Sequence, residues 1–195
     1  VWESLVHGGT SQDARVVLSL RVPRTIAALI IGGALGLAGS IMQAITRNPL
    51  ADPGILGVNA GAAFAVVSAT AVMGVSTRAV TLGAALIGAG VASALVFALS
   101  GRGARASRAR LALAGIAVSA ALASLTSAIL TANQFAFNEF RYWASGSFEG
   151  IGVDSLVLAS VVIGGGTVLG ALLTSALGIL TLGDEVAVGL GVRVR

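Results

Sequence analysis

The side chains able to do chemistry are few in this chain of 195 residues. It holds one histidine, His7, and no cysteine. That excludes disulfides and thiolate metal sites, and a single histidine cannot supply the two ligands of an H-E-x-x-H zinc site. Every basic residue is arginine, so the lysine of a G-x-x-x-x-G-K-[ST] phosphate loop is missing and ATP is not hydrolysed by that route. The Ser145-Gly146 pair in "WASGS" (Trp143 to Ser147) invites comparison with an intramembrane serine protease. A serine nucleophile needs a general base, normally a histidine on another span, and His7 lies outside the apolar runs. The expectation is a chain without catalytic residues, resident metal or cofactor, and not an enzyme.

The polar punctuation is concentrated in "MQAITRNPLADPGILGVNAGAAF" (Met42 to Phe64). Two of the three prolines fall here, as Asn48-Pro49 and Asp52-Pro53. Asparagine and aspartate are good N-caps, and proline suits the first helical position. Each pair is therefore expected to start a helix. The residue before a proline avoids helical geometry, so the preceding helix should end by about Arg47. Gly54 and Gly57 allow a tight or irregular path. Two structures fit the segment, an interfacial hairpin or a broken helix lining a pathway. Asn59 and Gly61, just beyond it, suit either.

The elements around this segment follow from charge spacing. Hydrophobic residues make up 56% of the chain and charged residues 10%, against about a quarter charged in soluble domains. Too little charge is present to cover a water-facing surface, which points to a membrane protein. The basic pI does not signal nucleic-acid binding, because the arginines sit between apolar runs, where topology signals belong. Uncharged runs span 25–46, 53–77, 79–101, 111–138 and 155–183. Each exceeds the roughly 20 residues that one helical crossing needs, and lipid leaves helices as the only plausible form here. The predicted fold is all-α, a polytopic transmembrane bundle with five spans and a segment at 184–195 beyond them.

Orientation comes from arginine. Arg47, then Arg102, Arg105, Arg108 and Arg110 of "RGARASRAR", then Arg193 and Arg195 fall on one side. Arg15, Arg21, Arg24, Arg78 and Arg141 fall on the other, diluted by acidic residues. Short arginine-rich loops stay in the cytoplasm. Residues 47–52, 102–110 and 184–195 are therefore expected inside, and 1–24 outside. The chain begins without Met and is expected to be a fragment with one helix preceding Val1. Residues Val1 to Arg24 contain no signal-peptide core with a cleavage site. Tyr142 and Trp143 suit an outer interfacial belt. Small residues recur at Gly32, Gly36 and Ser40, at Ala84, Gly88 and Ala92, and at Gly166 and Gly170, as in closely packed helices. No run contains an ionisable residue, which argues against proton-driven transport.

The stretch Leu20 to Val67 resembles the signature of membrane permeases of binding-protein-dependent ABC importers, the class taking up iron-siderophores, haem and cobalamin. Its motif residues here are Gln43, Asn48, Pro49, Asp52, Pro53, Gly54 and Gly57. "RLALAGIAVSA" (Arg110 to Ala120), "YWASGSFEG" (Tyr142 to Gly150) and "LGDEVAVGLGV" (Leu182 to Val192) follow in the family's order. The resemblance implies a ten-helix permease in the cytoplasmic (inner) membrane, of which this chain covers helices two through six. It implies a second permease, homodimeric or paralogous, two ATP-binding subunits and an extracytoplasmic substrate-binding protein as partners, with no nucleic acid.

Residue roles follow from the same resemblance. Arg21 and Arg24 are interfacial anchors on physics alone. Matching arginines in the family pair with glutamates on the binding protein, where charge complementarity orients docking. Asp184 can cap a helix, Glu185 suits its N-terminal end, and Gly189 or Gly191 can stop it. The resemblance makes Gly183, Asp184, Glu185, Gly189 and Gly191 part of a segment coupled to the ATPase. Ser107 and Arg108 precede a helix that lines the channel in related permeases, near the cytoplasmic gate. Here Arg108 and Ala109 stand where relatives can carry small hydroxyl residues. Asn59 and Gly61 are further pathway or gate candidates. The implied cargo is an iron-siderophore, with haem or cobalamin as alternatives. An ion-coupled transporter or channel would work without an ATPase, and a membrane scaffold would move no substrate.

Overall fold

A computed structural model describes Ala14 and residues 16–101, 108–147 and 153–181. Every regular element among the described residues is helical. A π-helical turn, Val17–Arg21, leads into α1, Val22–Thr46. A 3-10 turn, Pro53–Leu56, precedes α2, Val58–Met73. Then come α3, Arg78–Ser100, α4, Arg108–Ala132, α5, Gln134–Ser145, and α6, Val153–Thr181. By length and composition the helical stretches Val17–Thr46, Arg78–Ser100 and Ala109–Ala132 can each cross a membrane.

Two compact units share the chain, one containing α1 and α6, the other running from Leu50 to Gly146. In the first unit Gly170 of α6 receives α1. A Cβ at Gly170 would lie 3.2 Å from Ile41 Cδ1 and 3.4 Å from Leu37 Cδ2. Leu37 and Ile41 are one helical turn apart, so both reach the same spot. The recurrent Gly32 and Gly36 behave differently, with no atom of another element among the described residues within 4 Å of where their Cβ would be.

In the second unit α2 is central and touches α3, α4 and α5. Its contact with α3 is made at backbone range. A Cβ on Gly61 would overlap Ala92 and the Gly88 carbonyl, and one on Gly88 would overlap Ala65 and the Gly61 carbonyl. Close backbone approach of this kind maximises van der Waals contact between helices in lipid, where hydrophobic driving force is absent. Ala92, Val96 and Ser100 continue the buried stripe of α3 at four-residue spacing. On α4 the buried stripe runs through Leu111, Gly115, Val118 and Thr126.

The helices depart from the uncharged runs in two places. The run 53–77 is not one helix, since its first residues form the 3-10 turn and α2 spans Val58–Met73 only. The run 111–138 breaks at Asn133, whose side chain accepts a hydrogen bond from the Ala136 N–H at 2.9 Å. Absence of charge marks what lipid tolerates, and it is blind to a neutral cap. No helix starts at Asn48-Pro49; Pro49 and Leu50 form a turn.

Candidate functional site

Backbone hydrogen bonds and the Asp52 carboxylate shape the segment from Gln43 to Gly61. The Gln43 carbonyl accepts hydrogen bonds from the N–H of Arg47, which caps α1, and from the N–H of Asn48 at 3.3 Å. Arg47 takes the left-handed conformation, φ 50°, and so reverses the chain. Leu50 is 88% exposed while the next residue, Ala51, is buried.

Asp52 is extended, φ −115° and ψ 142°, as the following proline requires. Its carboxylate accepts the Gly54 N–H at 2.7 Å. The Ile55 N–H donates to the Asp52 carbonyl at 3.1 Å, and the Gly57 N–H to the Gly54 carbonyl at 2.9 Å. Asp52-Pro53 thus starts a helix of one 3-10 turn. Gly57, at φ 72°, ends it and opens α2, and its carbonyl accepts the Gly61 N–H at 2.8 Å.

This turn is seated between α3 and α4. A Cβ on Gly57 would lie 3.6 Å from Ser119 Oγ and Val96 Cγ2, and 3.7 Å from Val118 Cγ1. A Cβ on Gly115 would overlap the Ile55 carbonyl. Gly115 lies seven residues into α4 and Val96 four from the end of α3. At 1.5 Å per residue, the turn is recessed about 6–10 Å from those helix ends. Irregular backbone at membrane depth is tolerated where protein covers it or a cavity opens beside it. Asn59 is exposed on the first turn of α2, and Gly61 sits inside the α2–α3 contact.

Arg21 and Arg24 occupy the start of α1, around the N2 proline Pro23. Both are exposed, and three-residue spacing puts them on one face. Among the described residues neither guanidinium has an ion-pair partner. Arg108 opens α4. Ser107, Gly183, Asp184, Glu185, Gly189 and Gly191 lie outside the described residues, so the structure does not place those candidates.

The other end of α4 carries an elbow. Asn133 caps α5, and a cavity of about 380 Å³ opens there, lined by Ser127, Leu130, Thr131, Gln134 and Phe137. Gln134 Nε2 donates to Asn138 Oδ1 at 3.3 Å, and Thr131 Oγ1 donates to the Ser127 carbonyl at 2.8 Å. Farther along α5, Phe140 and Trp143 pack at 5.6 Å between ring centroids, and Arg141 lies 5.5 Å from the Tyr142 ring.

The model of the FecCD transport family matches residues 1–195. The chain belongs to that family. Relatives of this FecCD chain include the ferric enterobactin transport system permease protein FepD of Escherichia coli (strain K12), 49% identical, with 94% of the chain and 55% of the relative aligned. The hemin transport system permease protein HmuU of Yersinia pestis is 38% identical over 91% of the chain and 54% of its own length. A solved inward-facing metal-chelate type ABC transporter superposes with TM-score 0.81 at 27% identity, covering 95% of the chain and 59% of that structure. The chain spans about half the length of the curated relatives it matches. Its fold is that of a helical membrane permease, as its composition and its resemblance implied.

Two features of the FecCD chain were missed from sequence. The neutral pair Asn133-Gln134 inside a long apolar run is an N-cap signal, and it marks the α4–α5 elbow. The seat of the 3-10 turn on Gly115 had no local signal, because a glycine in a helix does not say which carbonyl approaches it.

Proposed function

We propose that the chain is part of the permease subunit of an ABC importer, and that it moves a ferric siderophore or related metal chelate across the cytoplasmic membrane. The observation carrying this reading is its 49% identity, over 94% of its length, to a relative named as a ferric enterobactin permease. Relatives named for hydroxamate and haem import widen the cargo class to iron chelates.

The subunit performs no covalent chemistry. A loaded binding protein docks outside, and the exposed Arg21 and Arg24 offer its carboxylates two guanidinium forks on one helix face. Two ATP-binding subunits act on the inner side, where the segment around Gly183, Asp184, Glu185, Gly189 and Gly191 engages them. A second permease completes the pathway, and conformational alternation passes the chelate between the two subunits. The recessed turn at 52–57 and the α4 start at Arg108 lie toward the inner mouth of that pathway, with Asn59 beside them. All five apolar segments cross the membrane in this reading, α2 being completed by its 3-10 turn.

Uptake of labelled ferric siderophores, haem and cobalamin tests it in cells lacking the gene, with complementation by the whole gene. Loss of one iron chelate, restored by the gene, is the expected result. Selective loss of cobalamin would reassign the cargo. Uptake that persists without the ATPase subunits would replace the ABC reading with an ion-coupled one.

A further inference from the structure

Gly115 faces the Ile55 carbonyl at a separation that leaves no room for a Cβ. The partner atom belongs to the backbone of a turn already fixed by three local hydrogen bonds, Gly54 N–H to the Asp52 carboxylate, Ile55 N–H to the Asp52 carbonyl and Gly57 N–H to the Gly54 carbonyl. One helical turn further along α4, Ser119 meets the Gly57 end of the same segment. The turn is thus held at Ile55 and at its Gly57 end by one face of α4, and α3 contributes Val96 at the Gly57 end. Leu50, two residues before the turn, is 88% exposed.

We infer that Gly115 is a positioning residue. It seats the 52–57 turn on α4, so that the turn and the chain leading to it through Leu50 follow α4 as one body. This rests on the permease reading, in which motion of α4 must reach the inner mouth. A close-packed contact passes displacement on because neither side can yield without shifting backbone. A Cβ at position 115 forces α4 and the turn apart at Ile55 and so breaks that rigid link.

The test uses the whole permease assembled with its ATPase subunits in lipid. The absence of cysteine from this chain simplifies placing spin labels at Leu50→Cys and at Leu113→Cys, which is 67% exposed. A narrow wild-type distance distribution that broadens or shifts in Gly115→Ala supports the inference. Gly90→Ala is the control, since nothing lies within 4 Å of its Cβ position. An unchanged distribution in Gly115→Ala, or an equal change in Gly90→Ala, overturns the inference. Should Gly115→Ala not assemble, Asp52→Ala loosens the same turn by removing its carboxylate cap. The distribution must then broaden in Asp52→Ala and recover in Asp52→Asn, and failure of either counts against the seat.

Transport supplies the second readout. Chelate moved per ATP hydrolysed is expected to fall in Gly115→Ala while ATP hydrolysis continues. Parallel loss of ATP hydrolysis and transport would indicate a merely structural role and overturn the positioning one. A wild-type complex that moves no chelate would defeat the permease reading instead, while the label distances still decide the seat.

Discussion

A methyl group on Gly61 or Gly88 has nowhere to go, because each faces backbone and a small side chain across the α2–α3 contact. Overpacking of a close contact costs about 1–3 kcal/mol. Gly61→Ala and Gly88→Ala should each lower the melting temperature of the purified permease. Gly83→Ala, with open space at its Cβ position, should leave it level or raise it, since helix interiors favour alanine over glycine by roughly 0.5–1 kcal/mol. Equal melting of all three variants would contradict the packing described. The exposed guanidinium pair is tested by charge. Arg21→Glu with Arg24→Glu should abolish chelate uptake while membrane insertion, read by immunoblot of membranes, stays intact. Normal uptake would remove the docking role. The four-residue recurrence of Ala84, Gly88 and Ala92 made one face of α3 legible in advance, yet among the described residues nothing lies within 4 Å of the Cβ positions of the equally regular Gly32 and Gly36. Spacing defines a face, and only the tertiary arrangement supplies its partner. Gly61, a pathway or gate candidate from sequence, has a packing role that spacing did not reveal, in the α2–α3 contact.

Among the elements, α5 departs furthest from the expectation of a single span. Its N-terminus depends on Asn133, whose side chain accepts the Ala136 N–H. Loss of an N-cap costs about 1 kcal/mol, and α5 is only 12 residues long, too short to hold as an isolated helix. Asn133→Ala should therefore speed amide hydrogen exchange at Gln134 to Asn138, with Asn133→Asp retaining slow exchange. Unchanged exchange in Asn133→Ala would mean that packing against α2 and α4 alone holds the element. The helices α1 and α3 were readable from run length because charge bounds them at Arg24, Arg47 and Arg78 and at the arginine cluster from Arg102. The α4–α5 boundary carries no charge. Likewise the start of α2 is set by the positive φ of Gly57 and by contact with α3 and α4, neither of which composition records.

For the molecule as a whole, arginine placement and helix order make one joint statement about sidedness. The stretch from Arg102 to Arg110 carries four arginines, and short basic connections between spans resist translocation. With α3 and α4 each crossing once, the α2–α3 link and the end of α5 must share the opposite side. Single cysteines at Leu50, Gly103, Ser76 and Ser147 can report this, introduced into a stretch that has none of its own. In intact cells with a permeable outer barrier, an impermeant maleimide should label Ser76→Cys and Ser147→Cys. Leu50→Cys and Gly103→Cys should react only after the cytoplasmic membrane is opened. The recessed 52–57 turn adds a further demand. Pro53→Cys, at a half-buried position, should react more slowly than Leu50→Cys even in opened membranes, since thiol reaction follows access. The reverse labelling pattern would invert the bundle and put Arg21 and Arg24 on the ATPase side. Docking to an external binding protein through those arginines would then be impossible, so this one pattern constrains orientation and mechanism together.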